Sequence, residues 1–286
     1  MSIKQFVPWW GKILAKLVLS RLPINYHFWK KLALFEHGYM ERPSYAYEVF
    51  KQHFDRVEGL KEGFVSLELG PGDSLVSAML SQAFGCSASY LVDVGAFANR
   101  DLQLYRNMSR FLADKELPTL EADSFNSIEE MLVACRADYK TSGLLSLREI
   151  PDQSVDFIWS SAVLEHIRRA EFFDTMRELR RIIRNSGVCS HQIDLRDHLG
   201  GALNNLRFSE MIWESDFMAK SGFYTNRIRY SEMLDLFQKA GFRVEVMHVN
   251  RWNSLPTPRL KLHKIFQSLP EEELCVLDFS VILKPV

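Results

Sequence analysis

Two periods of hydrophobic positions take turns along residues 43–286. Short runs rich in apolar residues at about 64–69, 88–93, 155–160, 188–193, 242–249 and 276–284 read as strands. Between them the apolar positions recur at helical spacing. Residues 44–57 predict a helix, with Ser44 as N-cap after Pro43, and 74–84 predict another, ended by Gly85. Residues 96–135 predict two helices on either side of Pro118, and a short third strand follows at 137–141. In the helix predicted at 171–184, Phe172, Phe173, Met176, Leu179, Ile182 and Ile183 share one face, while Arg177, Arg180 and Arg181 point away. Gly187 starts the turn into the fifth strand. A helix at 231–240, with Ser231 as N-cap and Gly241 just past its end, precedes the strand at 242–249. Such strand–helix alternation predicts an α/β, doubly wound sheet. Residues 195–229 interrupt it as a long insertion.

Residues 1–42 differ in character. They hold seven basic and two acidic residues, with Trp9, Trp10, Phe28 and Trp29 interleaved, and Ile13, Leu14, Leu17 and Val18 at helical spacing. Two readings stay open: helices packed on the rest of the protein or on a second subunit, and an amphipathic segment lying on an anionic membrane surface.

The whole chain has 286 residues and a net charge of −1, which gives no basic field for nucleic acid. Its four cysteines, Cys86, Cys135, Cys189 and Cys275, lie far apart and form no CxxC pair, so buried thiols in a reducing cytoplasm are expected. The opening segment shows no secretory signal, and its uncharged runs are too short to span a bilayer.

The sharpest local signal is Phe64-Val-Ser-Leu-Glu-Leu-Gly-Pro-Gly-Asp-Ser74: strand, glycine turn, helix. Gly70 and Gly72 permit backbone dihedrals that a Cβ forbids and let a ligand approach the main chain. The competing dinucleotide fingerprint would need its third glycine at Leu75. The order Glu68-x-Gly-x-Gly72, then the strand-end acid Asp93, then Asp156-Phe-Ile-x-Ser-Ser-x-Val-Leu-Glu-His166, resembles the class I S-adenosylmethionine-dependent methyltransferases over about residues 43–286. Ser74 stands where many members have a further glycine.

That resemblance implies a Rossmann-like sheet of seven mostly parallel strands, the last one antiparallel, with N-terminal helices and a helical cap formed by 195–229. It implies S-adenosyl-L-methionine as cofactor, held by Glu68, Gly70, Gly72, Asp93 and Ser161. The glycines would admit the methionine portion, Asp93 would accept from the ribose diol, and Glu68 would accept from the ammonium group or from N–H groups of the turn. Gly143-Leu144 would lie near the adenine. His166 is expected as a hydrogen-bonding partner of the fold more than as a base.

On the acceptor side, Ser160-Ser-Ala-Val163 replaces the Asn-Pro-Pro-Tyr that amide and exocyclic-nitrogen methyltransferases usually show, so an oxygen acceptor is expected. A hydroxyl needs a base, and His191, Asp194 and His198 are the catalytic candidates. No metal is assigned. A divalent ion on His191, Asp194, Asp197 and His198 stays open as an alternative, as does a structural turn in which Asp197 pairs with Arg196 or Arg207. The insertion adds hydrogen-bonding groups at Asn204, Asn205, Arg207, Trp213 and 225–229. The resemblance extends to enzymes of polysaccharide and cell-surface glycan synthesis, which implies a small-molecule or glycan substrate, in one version lipid-linked. The alternatives are a non-catalytic protein that binds the cofactor, and an N-methyltransferase of a small metabolite.

Overall fold

The computed structural model describes Gly11 and residues 39–286. Nearly all of the basic segment 1–42 therefore lies outside the described residues. In chain order the elements are α1 (Pro43–Asp55), β1 (Val65–Leu69), α2 (Val76–Ala83), β2 (Ala88–Val92), α3 (Leu102–Asp114), α4 (Ile128–Ala134), β3 (Ala137–Lys140), α5 (Leu144–Glu149), β4 (Val155–Ser161), α6 (Arg169–Ile182) and β5 (Ile183–Asp194). They continue with α7 (Glu210–Trp213), α8 (Asp216–Ala219), α9 (Tyr230–Lys239), β6 (Phe242–Arg251), α10 (Lys264–Gln267), α11 (Glu271–Leu274) and β7 (Val276–Pro285).

The seven strands form one sheet in the order β3-β2-β1-β4-β5-β7-β6. Pairing is parallel from β3 through β5, and β7 runs antiparallel to both β5 and β6. This is the doubly wound, Rossmann-like architecture expected from the sequence. The order reverses between β1 and β4, so both strands end, with β2, at the crevice where ligands of such sheets sit. One apolar cluster joins α1, α2, α3 and α4 to the sheet through Leu91, Phe157 and Trp159. The other joins α6 and α9 through Leu67, Ile158, Cys189 and Ile193. Adjacent residues of a strand thus enter opposite clusters, as the pleat requires.

The differences from the sequence expectation are local. Pro43, not Ser44, opens α1, with Arg42 at the N-cap, because proline's fixed φ suits a first helical position. Arg229 stands at the N-cap of α9 in place of Ser231. Phe173 lies on the exposed side of α6. Arg181 does not point away: it donates to the carbonyls of Leu147 and Ile150 at 2.9 Å. β5 begins at Ile183, ahead of Gly187, but its pairing with β4 jumps from Val155↔Ile183 to Phe157↔Val188. The extra residues bulge out, and a Cβ on Gly187 would fall 2.9 Å from the carbonyl of Asp156. The insertion 195–229 is helical only in short pieces. Cys135, Cys189 and Cys275 are buried and Cys86 is partly so, all as free thiols. Among the described residues, no helix is long and apolar enough to cross a membrane.

Candidate active site

The turn after β1 carries both glycines, at φ +74° for Gly70 and +63° for Gly72, where a Cβ is strained. Their surroundings differ. A Cβ on Gly70 would lie 2.5 Å from the Val163 side chain, whereas one on Gly72 would meet nothing within 4 Å. Gly70 is packed against the chain leaving β4, and Gly72 opens outward. Asp93, the first residue after β2, accepts from the N–H of Gly72 at 2.9 Å and from that of Val94 at 2.7 Å.

Glu68 lies beneath this turn, 5% exposed, and accepts from the hydroxyl of Ser77 on α2. Burial pushes its pKa up to about 8. Its partner is therefore Ser77, which the sequence reading did not single out, and not the N–H groups of the turn. Gly143, at φ +54°, donates to the carbonyl of Asp93 at 2.8 Å, so the third strand's exit lies against the second's. Val94 and Leu145 beside it are 76% and 61% exposed, an apolar rim suited to a flat ring.

Ser161 ends β4, and Ala162 follows at φ +54°, donating to the carbonyl of Gln192 at 2.9 Å. A non-glycine residue held there marks a constrained exit at the edge of the crevice. Here a cavity of about 510 Å³ opens, lined by Glu48 and Gln52 of α1, by Ser161 and Gln192, and by Asp194, Arg196 and Asp278. Arg196 grips Asp194 with two side-chain bonds, 2.9 Å to Oδ1 and 2.8 Å to Oδ2. Three carboxylates against one guanidinium leave the lining acidic.

The three catalytic candidates are not brought together. His191 is fully buried within the sheet, where its Nδ1 meets the Ser160 hydroxyl at 2.7 Å. Burial lowers its pKa to about 3, so it stays neutral and has no route to an acceptor in the cavity. Asp194 does line the cavity. His198 lies against His166, ring centroids 4.6 Å apart, in a cluster with Glu165. Asp197 pairs with neither Arg196 nor Arg207, and it is no ligand or base. Its carboxylate is saturated by the N–H groups of Leu199, Gly200, Gly201 and Asn204 and the amide of Asn204. The metal set His191, Asp194, Asp197 and His198 is therefore not assembled.

The polar groups of the cap chiefly hold the cap. Asn205 bonds Thr225, Trp213 donates to the Thr225 carbonyl at 2.7 Å, and Arg229 donates to the carbonyls of Leu195 and Val276 at 2.9 and 2.7 Å. His166 is a hydrogen-bonding partner as expected, its Nδ1 lying 2.8 Å from the Tyr224 carbonyl. Sequence reasoning missed Glu48, Gln52, Gln192, Arg196 and Asp278. Strand parity was the available signal, since Gln192 pairs with Ser161 across the sheet.

Residues 122–190 match a family model described as a methyltransferase domain. The matched stretch begins ahead of α4 and ends within β5, one residue before His191. No curated protein matches the chain. Among solved structures, an S-adenosylmethionine-dependent methyltransferase from Archaeoglobus fulgidus aligns at 13% identity and a TM-score of 0.45, over 91% of this chain and 100% of that one. An arsenic(III) methyltransferase from Chlamydomonas reinhardtii aligns at 15% identity and 0.44, over 78% and 63%. A phosphoethanolamine N-methyltransferase from Haemonchus contortus aligns at 13% and 0.42, over 84% and 53%.

Over residues 122–190 the chain matches a methyltransferase domain, and the cofactor expected with such a domain is S-adenosylmethionine. Three features of the crevice suit that molecule: an open glycine at 72, a strand-end carboxylate at 93, and an apolar rim at Val94 and Leu145.

Proposed function

We propose that this methyltransferase acts on a hydroxyl of a small polyhydroxylated molecule or glycan. The observation that carries the reading is the cavity of about 510 Å³ at the ends of β4 and β5, whose polar lining is three carboxylates, two amides, hydroxyls and the Asp194-paired guanidinium of Arg196. Such groups suit a neutral acceptor with many hydrogen-bonding positions and repel phosphates and carboxylates.

When bound, S-adenosylmethionine supplies an electrophilic methyl group. The chain's own residues do the rest. Gly72 and Asp93 hold one end of the crevice, and Ser161 stands where crevice and cavity meet. Asp194 is the candidate base for the acceptor's proton, and the Arg196 fork fixes its orientation. Glu48 and Gln52 of α1 close the cavity from the other side and would select the acceptor's orientation.

A primary amine is the second reading, favoured by the three carboxylates. Isothermal titration with S-adenosylmethionine and its demethylated product tests cofactor binding. Release of that product with neutral sugars, nucleotide sugars and primary amines then separates the readings. Turnover confined to amines would remove the hydroxyl reading, and binding without turnover on any of them would favour a non-catalytic role.

The reading extends to a lipid-linked acceptor through residues 1–42, whose lysines and tryptophans suit an anionic bilayer surface. A chain starting at residue 43 should lose salt-sensitive binding to anionic vesicles while keeping cofactor affinity. Equal vesicle binding by both chains would end the membrane part of the proposal.

A further inference from the structure

Away from the cofactor crevice, Glu165, His166 and His198 bring metal-ligating atoms together. One carboxylate oxygen and one ring nitrogen from each histidine all lie within 4.8 Å of one another. Glu165 is 1% exposed. Its Oε1 accepts from the N–H of Asp194 at 3.3 Å, and its Oε2 has no hydrogen-bond partner among the described residues. A buried carboxyl oxygen in that condition is costly unless something else satisfies it.

The histidine chemistry points the same way. The Tyr224 carbonyl 2.8 Å from His166 Nδ1 can only accept, so Nδ1 carries the proton and Nε2 is the nitrogen with a lone pair. Metal-bound histidines show this arrangement, the second ring nitrogen donating to a carbonyl or carboxylate that fixes the tautomer.

Both loops that carry the cluster are pinned. Asn226 donates from its backbone to the Glu165 carbonyl at 2.7 Å, and from its side chain to the carbonyls of Leu164 and Ile167 at 2.8 and 3.0 Å. Asp197, beside His198, gathers four backbone N–H groups. Donors held by such a shell need little rearrangement to bind an ion.

We propose that Glu165, His166 and His198 form a binding site for one divalent transition-metal ion of the zinc type. Two imidazoles and a carboxylate suit zinc-like ions, whereas calcium and magnesium prefer oxygen ligands throughout. Three protein ligands leave a coordination position for water or another donor. The ion would tie the β4 exit to the cap, because His198 belongs to 195–229 and residues 224–226 grip the turn bearing Glu165 and His166.

The test uses the full-length protein, freed of metal and titrated with zinc by calorimetry without cofactor or acceptor. It therefore stands or falls apart from methyl transfer. One equivalent is expected, with a melting temperature that rises with zinc concentration. His198→Ala and Glu165→Gln should each weaken binding by about 100-fold or more. His248→Ala, on exposed β6, should leave it unchanged. If Glu165→Gln does not fold, His198→Ala decides, since His198 is only half-buried. No saturable equivalent, unchanged affinity in His198→Ala, or tighter binding of magnesium than of zinc would overturn the proposal.

Discussion

The carboxylate of Asp93 accepts the N–H of Gly72 at 2.9 Å, so the residue that ends one strand also sets the turn that leaves its neighbour. If Asp93 is the ribose acceptor as proposed, Asp93→Ala removes that acceptor and loosens the glycine turn together. Affinity for S-adenosylmethionine should fall by about 1–3 kcal/mol, as for a lost hydrogen bond to a charged group. Calorimetry checks this, and wild-type affinity in the variant would show that Asp93 serves the turn alone.

Gly70 and Gly72 should respond differently to alanine. Both pay backbone strain of roughly 1 kcal/mol at positive φ. Gly70→Ala also drives a Cβ into Val163, so its melting temperature should drop further. Gly72→Ala places its Cβ in open space, so its main loss should be cofactor affinity. Thermal unfolding and titration of both variants separate the two. A larger stability loss at Gly72 would invert the assignment of which glycine faces the ligand.

The glycine turn was legible in sequence because positive φ favours glycine at 70 and 72 and an acid follows the second strand. The lining of the cavity was not. Ser160 and His191 are paired across β4 and β5, as are Ser161 and Gln192, and only the pleat decides which pair faces the cavity. Histidine chemistry drew attention to 191, yet burial makes it a core residue. The sheet was legible because its inner strands, covered on both faces, read as apolar runs, and Gly85 and Gly241 end the helices ahead of β2 and β6. Helix α5 and the short helices of 252–275 escaped, since four to six residues make too few turns to show a period. Glu165 gave no signal of its own in sequence, because only the fold brings it beside His198.

His191 and Asp194 should separate in kinetics. Asp194→Asn should lower turnover by about 10²–10⁴-fold with little change in cofactor affinity, as loss of a general base does. His191→Gln should lower the melting temperature and leave the pH profile of turnover in place. A shifted profile in the His191 variant, with Asp194→Asn active, would return the base role to the histidine.

Three buried groups give stability a sign with pH. Burial lowers the pKa of His53 and His191 from 6.5 to about 3. Only the unfolded chain takes up their protons below 6.5, so stability is lost as pH falls from 6.5 towards 3. Glu68 runs the other way, from 4.5 up to about 8. The folded state keeps its proton while the unfolded chain ionises, so stability is lost as pH rises from 4.5 towards 8. A fourth group, the buried Glu165 carboxyl, is held by burial well above the usual carboxylate range and acts in the same sense as Glu68. Stability should therefore be nearly level between about pH 4.5 and 6.5 and fall on either side. Urea unfolding at pH 5, 6.5 and 8 measures it. Glu68→Gln should remove its own share of the alkaline decline, which at about 1.4 kcal/mol per pH unit per proton reaches about 2 kcal/mol between pH 6.5 and 8. A decline of the same size in Glu68→Gln would assign it elsewhere.

Arg229 gives the last contrast between a polar group that binds substrate and one that holds the cap. Its guanidinium is buried, and burial lowers its pKa to about 10. It donates to the carbonyls of Leu195, Leu274 and Val276 at 2.9, 3.1 and 2.7 Å, joining the start of the cap, the end of α11 and the start of β7. These carbonyls come from two stretches far apart in sequence, residue 195 and residues 274–276, which a planar fork can reach at once and a single ammonium cannot. Arg229→Ala would leave them buried and unsatisfied, at a cost of about 3–5 kcal/mol. The melting temperature should fall steeply, and Arg229→Lys should restore little of it. If Arg229→Ala unfolds as the wild type does while turnover disappears, the guanidinium reaches the acceptor and the cap is held by other means.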